Sequence, residues 1–112
     1  MQHVIFVDRM SPEDAPRVAR IWDEHDRTGL PEEIGVARRT LYRFRGLYMH
    51  VVAARPDLTV DLAEQIHSAR THPSYIEVRD RLATYLTPYS SDCRGLLDTR
   101  AEEFYQWSAS KE

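Results

Sequence analysis

The pattern of apolar and polar positions divides the chain into six segments. His3 to Met10 is rich in Val, Ile and Phe and predicts a first strand. Ser11-Pro12-Glu13-Asp14 carries helix-start signals: a capping hydroxyl, a proline for the first helical position and acids for the first turn. Ala15, Val18, Ala19 and Trp22 recur at helical spacing and predict a helix to about Asp26. Gly29 and Pro31 end it, and a loop runs on to Gly35. Val36 to Phe44 and Leu47 to Ala54 predict two strands joined by a tight turn at Arg45-Gly46. Pro56 and Asp57 stop the second. Leu58 to Arg70 predicts a helix with Leu62, Ile66 and Ala69 on one face, interrupted at His72-Pro73. Tyr75 to Leu86 resumes helical spacing through Val78, Leu82 and Tyr85. Thr87 to Asp92 reads as a loop, and Phe104 to Trp107 predicts the last strand.

The order strand, helix, strand, strand, helical region, strand predicts an α+β fold. It is the ferredoxin-like βαββαβ pattern, an antiparallel sheet with helices on one face. The hairpin is apolar at both parities: Tyr42, Phe44, Met49 and Val51 point one way, Leu41, Val52 and Ala54 the other. The face away from the helices therefore needs cover. A homodimer packed sheet against sheet is the expected solution; a monomer with a partly wet sheet is the alternative.

Composition narrows the function. At 112 residues the chain has room for one domain, and 42% hydrophobic with 29% charged residues is an ordinary globular mixture. No run approaches the ~20 apolar residues of a membrane span. The N-terminal segment lacks a basic leader and a signal-length apolar run, so a cytoplasmic location is expected. With a net charge of -3 and no block of like charge, neither nucleic acid nor a membrane surface is an expected partner. Cys93 is the single cysteine, which excludes an internal disulfide and a multi-thiolate zinc site. Lys111 is the single lysine and sits next to the last residue, which argues against Schiff-base chemistry. The 4 glycines form neither a phosphate loop nor a dinucleotide fingerprint. His25, Asp26, His50 and His72 have no recognisable ligand spacing, so no metal is expected.

The hairpin carries the most informative chemistry. If Arg45-Gly46 is a two-residue turn, Phe44 faces Leu47, Arg43 faces Tyr48, Leu41 faces His50 and Arg39 faces Val52. Arg39, Arg43, Tyr48 and His50 then share one face of the sheet. A neutral imidazole with a reference pKa of ~6.5 takes a proton near neutral pH, and neighbouring arginines depress that value. Guanidinium groups also stabilise the oxyanion of an enolised ketone. The competing reading is structural: strand arginines often only pair with acids, and a strand histidine often only satisfies a hydrogen bond. His25-Asp26, at the end of the first helix, is a second candidate, although sequence neighbours on a helix do not face each other. Trp22, Tyr85 and Trp107 read as core, His67 as solvent-facing, His3 as a strand-edge residue, His72 before Pro73 as a turn residue that could also cap or line a pocket, and Cys93 as incidental.

Several segments together carry a family resemblance. His25-Asp26-Arg27-Thr28-Gly29-Leu30-Pro31-Glu32-Glu33-Ile34-Gly35 followed by Arg38-Arg39, then Tyr42-Arg43-Phe44 and Leu47-Tyr48-Met49-His50, are the most specific blocks. Ala69 to Pro73, Tyr85 to Tyr89 and Ala101 to Trp107 come after them in the same order. The chain thereby resembles the tetracenomycin-cyclase-type aromatic polyketide cyclases over nearly its whole length. That resemblance implies one polyketide cyclase domain over residues 1–112, a ferredoxin-like protomer and a homodimer of the dimeric α/β-barrel type. It also implies a cofactor-independent intramolecular aldol condensation and dehydration on a partly cyclised poly-β-ketone. His25, Asp26, Arg39 and His50 are the implied catalytic positions; Arg43, Tyr48 and His72 are the expected substrate contacts. On this reading His50 or His25 removes the proton, Arg39, alone or with Arg43, stabilises the enolate, and Asp26 orients His25 to protonate the leaving hydroxyl. Two other functions are compatible with the sequence: a cofactor-free monooxygenase converting anthrones to quinones, and a non-enzymatic ligand-binding module.

Overall fold

The computed structural model describes residues 1–109. Lys111 lies outside them. Four strands and four helices succeed one another in the expected order: β1 (His3–Met10), α1 (Ala15–Asp26), α2 (Leu30–Glu33), β2 (Val36–Phe44), β3 (Leu47–Ala54), α3 (Leu62–Ser68), α4 (Pro73–Leu82) and β4 (Leu86–Thr87). The sheet is antiparallel throughout, in the order β2-β3-β1-β4.

The hairpin forms as predicted. Phe44 pairs with Leu47, Arg43 with Tyr48, Leu41 with His50 and Arg39 with Val52. Arg45 closes the turn with φ at 55°. One irregularity sets the direction of Val36 at the start of β2. Val36 pairs with Ala54, but Arg38 pairs with Ala53, so Ala37 is the extra residue of a bulge. Without it, Val36 and Arg39 would point to opposite faces; with it, both turn toward the helices.

The helices begin and end on local chemistry. A 3-10 turn at Pro12–Asp14 precedes α1, and the Ser11 side chain makes no capping bond, so the expected cap is replaced by a proline-led tight turn. The Asp61 carboxylate accepts from the Glu64 amide and starts α3 four residues later than Leu58, the start that the spacing predicts. A 3-10 turn at Ala69–Thr71 leads to His72, whose Nδ1 accepts from the Ser74 amide and caps α4. Gly29 and Gly35 bracket α2 with positive φ of 88° and 98°, which turns the expected loop into one short helix.

The last strand differs from expectation. Phe104–Trp107 forms no strand; Phe104 is 95% and Trp107 72% exposed. The fourth strand is instead Leu86–Thr87, which pairs with Arg9 and Met10 at the end of β1. Farther along the same edge, Phe6 bridges Arg100, and the Ala101 amide donates to the Ile5 carbonyl. The outer edge of β1 is thus filled before the aromatic segment is reached.

Two apolar clusters lie between sheet and helices. Val4, Phe6, Val52, Leu62 and Ile66 pack at one end; Met10, Val18, Ile21, Val78 and Leu82 pack at the other. The opposite sheet face has no cover among the described residues: Tyr42 is 57% and Phe44 59% exposed on β2, and Ile5 on β1 is 37% exposed on the same face. Among the described residues no helix is long and apolar enough to cross a membrane.

Candidate active site

A cavity of about 450 Å³ opens between the two clusters. Its floor is the helix-facing side of β1, β2 and β3; α1, α4 and the segment around Arg94 wall it in. The lining is predominantly apolar, with a few polar side chains converging on one region.

Arg39 is the centre of that region. Its Nε lies 3.0 and 3.1 Å from the two Asp26 carboxylate oxygens, and its Nη2 lies 2.8 Å from Oδ1. Its Nη1 lies 2.7 Å from His50 Nε2. The guanidinium also stacks on Trp22, 3.9 Å from the ring centroid. These contacts use three of its five N–H groups and leave two with no partner among the described residues. The side chain is only 10% exposed, so its charge acts through little solvent.

The contact with Arg39 fixes the state of His50. Arginine can only donate, so Nε2 must accept and the ring proton sits on Nδ1. Burial, then the Arg39 charge, holds the His50 pKa well below 6.5, and the ring stays neutral. His25, near the last position of α1, is buried as well. Burial first and Arg39 second lower its pKa, against the opposing charges of Asp26 and Glu77. Its ring makes no hydrogen bond to any described residue, and it lines the cavity.

Trp22 binds the group together. Its indole N–H donates to the Tyr48 hydroxyl at 2.8 Å. Its ring meets His50 at 4.6 Å and His25 edge-on at 5.5 Å between centroids. Burial pushes the Tyr48 hydroxyl far up, so it is a neutral phenol with its proton free for the cavity.

Of the expected site residues, the structure brings His25, Arg39, Tyr48 and His50 to the cavity wall and places Asp26 behind Arg39. The Asp26 carboxylate grips Arg39 and makes no hydrogen bond to the His25 ring. The expected orientation of His25 by Asp26 is therefore corrected to orientation of Arg39. Arg43 and His72 do not line the cavity. Arg43 donates to the Pro12 carbonyl at 2.9 Å, and His72 serves as the α4 cap.

Trp22 and Asp8 also line the cavity, and neither is among the site positions expected from sequence. Trp22 patterns as core because its spacing is that of the buried face of α1. Asp8 carries a signal that was available: with Val4, Phe6 and Met10 it alternates on the inward face of β1, where a carboxyl is out of place. Among the described residues no three His, Cys, Asp or Glu side chains converge as metal ligands.

Comparison with known proteins fits this geometry. The family model described as polyketide synthesis cyclase matches residues 2–108. The chain belongs to the polyketide synthesis cyclase family. Tetracenomycin F2 cyclase of Streptomyces glaucescens is 49% identical over 105 residues, which cover 94% of this chain and 93% of that protein. The solved structure of that cyclase, described as a type-II polyketide cyclase, superposes with a TM-score of 0.87 at 47% identity, over 97% of this chain and 99% of the other. A polyketide synthase component of Streptomyces cyaneus, CurG, is 27% identical over 108 residues, 96% of this chain and 97% of that one. The α+β protomer and the polyketide cyclase reading are both met at the level of this family. Nothing in these relatives favours the monooxygenase.

Proposed function

We propose that the chain closes a ring of a partly cyclised poly-β-ketone by intramolecular aldol condensation and dehydration, without a cofactor. The observation that carries the proposal is Arg39, clamped between the Asp26 carboxylate and a neutral His50 at the wall of an apolar cavity. Its two spare N–H groups suit the oxyanion of an enolised ketone.

The hydrogen bonds divide the remaining roles. His25, neutral and without a hydrogen-bond partner among the described residues, takes the acidic proton from the carbon between two carbonyls. The resulting carbanion attacks a ketone across the folded chain, forming the carbon–carbon bond, and the new alkoxide takes a proton from the His25 imidazolium. The N–H of His50 Nδ1 and the Tyr48 hydroxyl are donors to the oxygens in play. A second proton leaves to His25 and the new hydroxyl departs with a proton as water, so the balance is the loss of one water. Asp26 positions Arg39 and does not meet the substrate. The cavity wall holds the flexible chain in one register, which selects one near-attack geometry among several.

The uncovered sheet face, with Ile5, Tyr42 and Phe44, supports a homodimer in which a second copy covers it. Sedimentation at varied concentration tests this; a monomer throughout overturns it. For the reaction, purified protein is incubated with a partly cyclised aromatic polyketide while product mass and dissolved oxygen are tracked. Loss of one water with oxygen unchanged is expected. Oxygen consumption with a gain of oxygen in the product overturns the cyclase reading.

A further inference from the structure

Among the described residues Asp8 is the one acidic side chain that lines the cavity, and the proposed reaction does not use it. It lies between two buried neighbours on the same face of β1, Phe6 and Met10. It pairs across the sheet with Tyr48. Its carboxylate makes no hydrogen bond or ion pair with any described residue. Nothing in the packing of the chain rewards a carboxyl here, since a buried polar group without a partner costs stability.

Its position separates it from Arg39. Asp8 pairs with Tyr48 and Arg39 with Val52, four residues apart along β3, on strands that flank β3 on opposite sides. At ~3.3 Å per residue and ~4.8 Å between strands, their backbones lie roughly 16 Å apart. The Tyr48 hydroxyl stands between them and feels both charges. The other ionisable groups lining the cavity come from different elements: His25 from α1, His50 from β3, Tyr75 and Arg79 from α4, and Cys93 and Arg94 from the segment that follows β4. Arg79 is engaged with Asp80. β4, beside Asp8 on the sheet, brings only Leu86 and Thr87. Burial alone pushes the Asp8 carboxyl up to about 6, with no cation pulling it back. Even so, most of it is ionised at neutral pH.

An ionised carboxyl on an apolar wall can only accept hydrogen bonds, so it recognises donors, and on a nitrogen-free polyketide the donors are O–H groups. It repels carbonyl and ether oxygens, which can only accept. On an aromatic polyketide the O–H donors are the enols and phenols of rings already closed. We propose that Asp8 is a specificity residue whose carboxylate accepts a hydrogen bond from such a hydroxyl, at the end of the cavity away from Arg39. The proposal rests on the cyclase reading and names what its substrate must carry: a free hydroxyl on the closed portion.

Binding to the full chain tests it without turnover. The probes are a dihydroxynaphthalene and its dimethyl ether, titrated by calorimetry into the wild type, Asp8→Asn and Asp8→Leu. The wild type should prefer the hydroxylated probe by roughly ten- to a hundredfold, the range of one hydrogen bond to a charged group. Asp8→Leu should lose or reverse that preference, and Asp8→Asn, which keeps shape and a weaker acceptor, should fall between. A preference retained in both variants, or absent from the wild type, overturns the proposal. The product assay stands apart: wild-type turnover without an Asp8-dependent preference removes this proposal alone. A preference that depends on Asp8 in a protein that closes no ring keeps the hydroxyl site and removes the cyclase reading.

Discussion

Replacing Asp8 by asparagine should make the fold more stable, and more so as pH rises. The carboxyl titrates at 3.8 in an unfolded chain and at about 6 in the folded one, so the folded state holds its proton more tightly. Above about pH 6 the folded state carries the full cost of burying the charge. That cost shrinks as pH falls through 6 and is gone below about pH 4. The shift corresponds to at most about 3 kcal/mol. The side chain is only partly buried, and solvent screening brings the figure to about 1–2 kcal/mol. Urea unfolding of both proteins, in steps from about pH 4 to 8, measures the difference directly. His25 and His50 act in the opposite sense: their lowered pKa values leave the unfolded state binding more protons below 6.5, which destabilises the fold in acid. They do so in both proteins, so the comparison cancels them. Equal stability at about pH 7–8, or a gap that widens in acid, would refute the placement of this carboxyl in the cavity wall. A stabilising change at a lining position is also the expected signature of a residue kept for a ligand rather than for the fold.

The same contacts have other consequences. Arg39→Met and Asp26→Asn, singly and together, should give a coupling energy of about 1.5–3 kcal/mol in a double-mutant cycle, since the pair makes three charged hydrogen bonds; additive effects would show the pair to be idle. In Arg39→Met the His25 and His50 rings should both titrate at higher pH than in the wild type, read from ring nitrogen shifts, because the Arg39 charge lowers both. Gly35→Ala should cost more than about 1 kcal/mol of unfolding free energy, as φ is 98° and the new methyl would meet Leu58 Cδ1 at 2.8 Å; Gly46→Ala, with open space around it, should cost less. His72→Ala should cost about 1 kcal/mol as a lost helix cap and leave turnover unchanged; a raised KM would restore His72 as a substrate contact.

The β2–β3 hairpin was legible in the sequence because a two-residue turn and strict alternation leave one register, and that register put Arg39 and His50 on one face. The bulge at Ala37 was not legible, since no glycine or proline marks it, yet it brings Val36 onto the face that Arg39 occupies. His25-Asp26 was legible as a pair, but the partner of Asp26 was not: which side chain a carboxylate grips depends on β2 reaching α1, a contact remote in sequence. Trp22 was hidden by its own spacing, because a residue that supports a site from the buried face of a helix patterns as core. The last strand failed for a related reason. Phe104, Tyr105 and Trp107 carry a burial signal, whereas Leu86–Thr87 is too short to show alternation and continues a helical run. Only the register along β1 reveals that its free edge is already occupied.

In the proposed reaction Arg39, held by Asp26 and His50, stabilises the enolate from which the ring closes. Rates and product patterns of wild type and Arg39→Met on the same partly cyclised polyketide test this role. The expected result is a loss of about 10²–10³-fold in the rate of water loss, the range for removing one oxyanion donor, with mis-cyclised products rising in its place. An Arg39→Met protein that forms the wild-type product at the wild-type rate would contradict it.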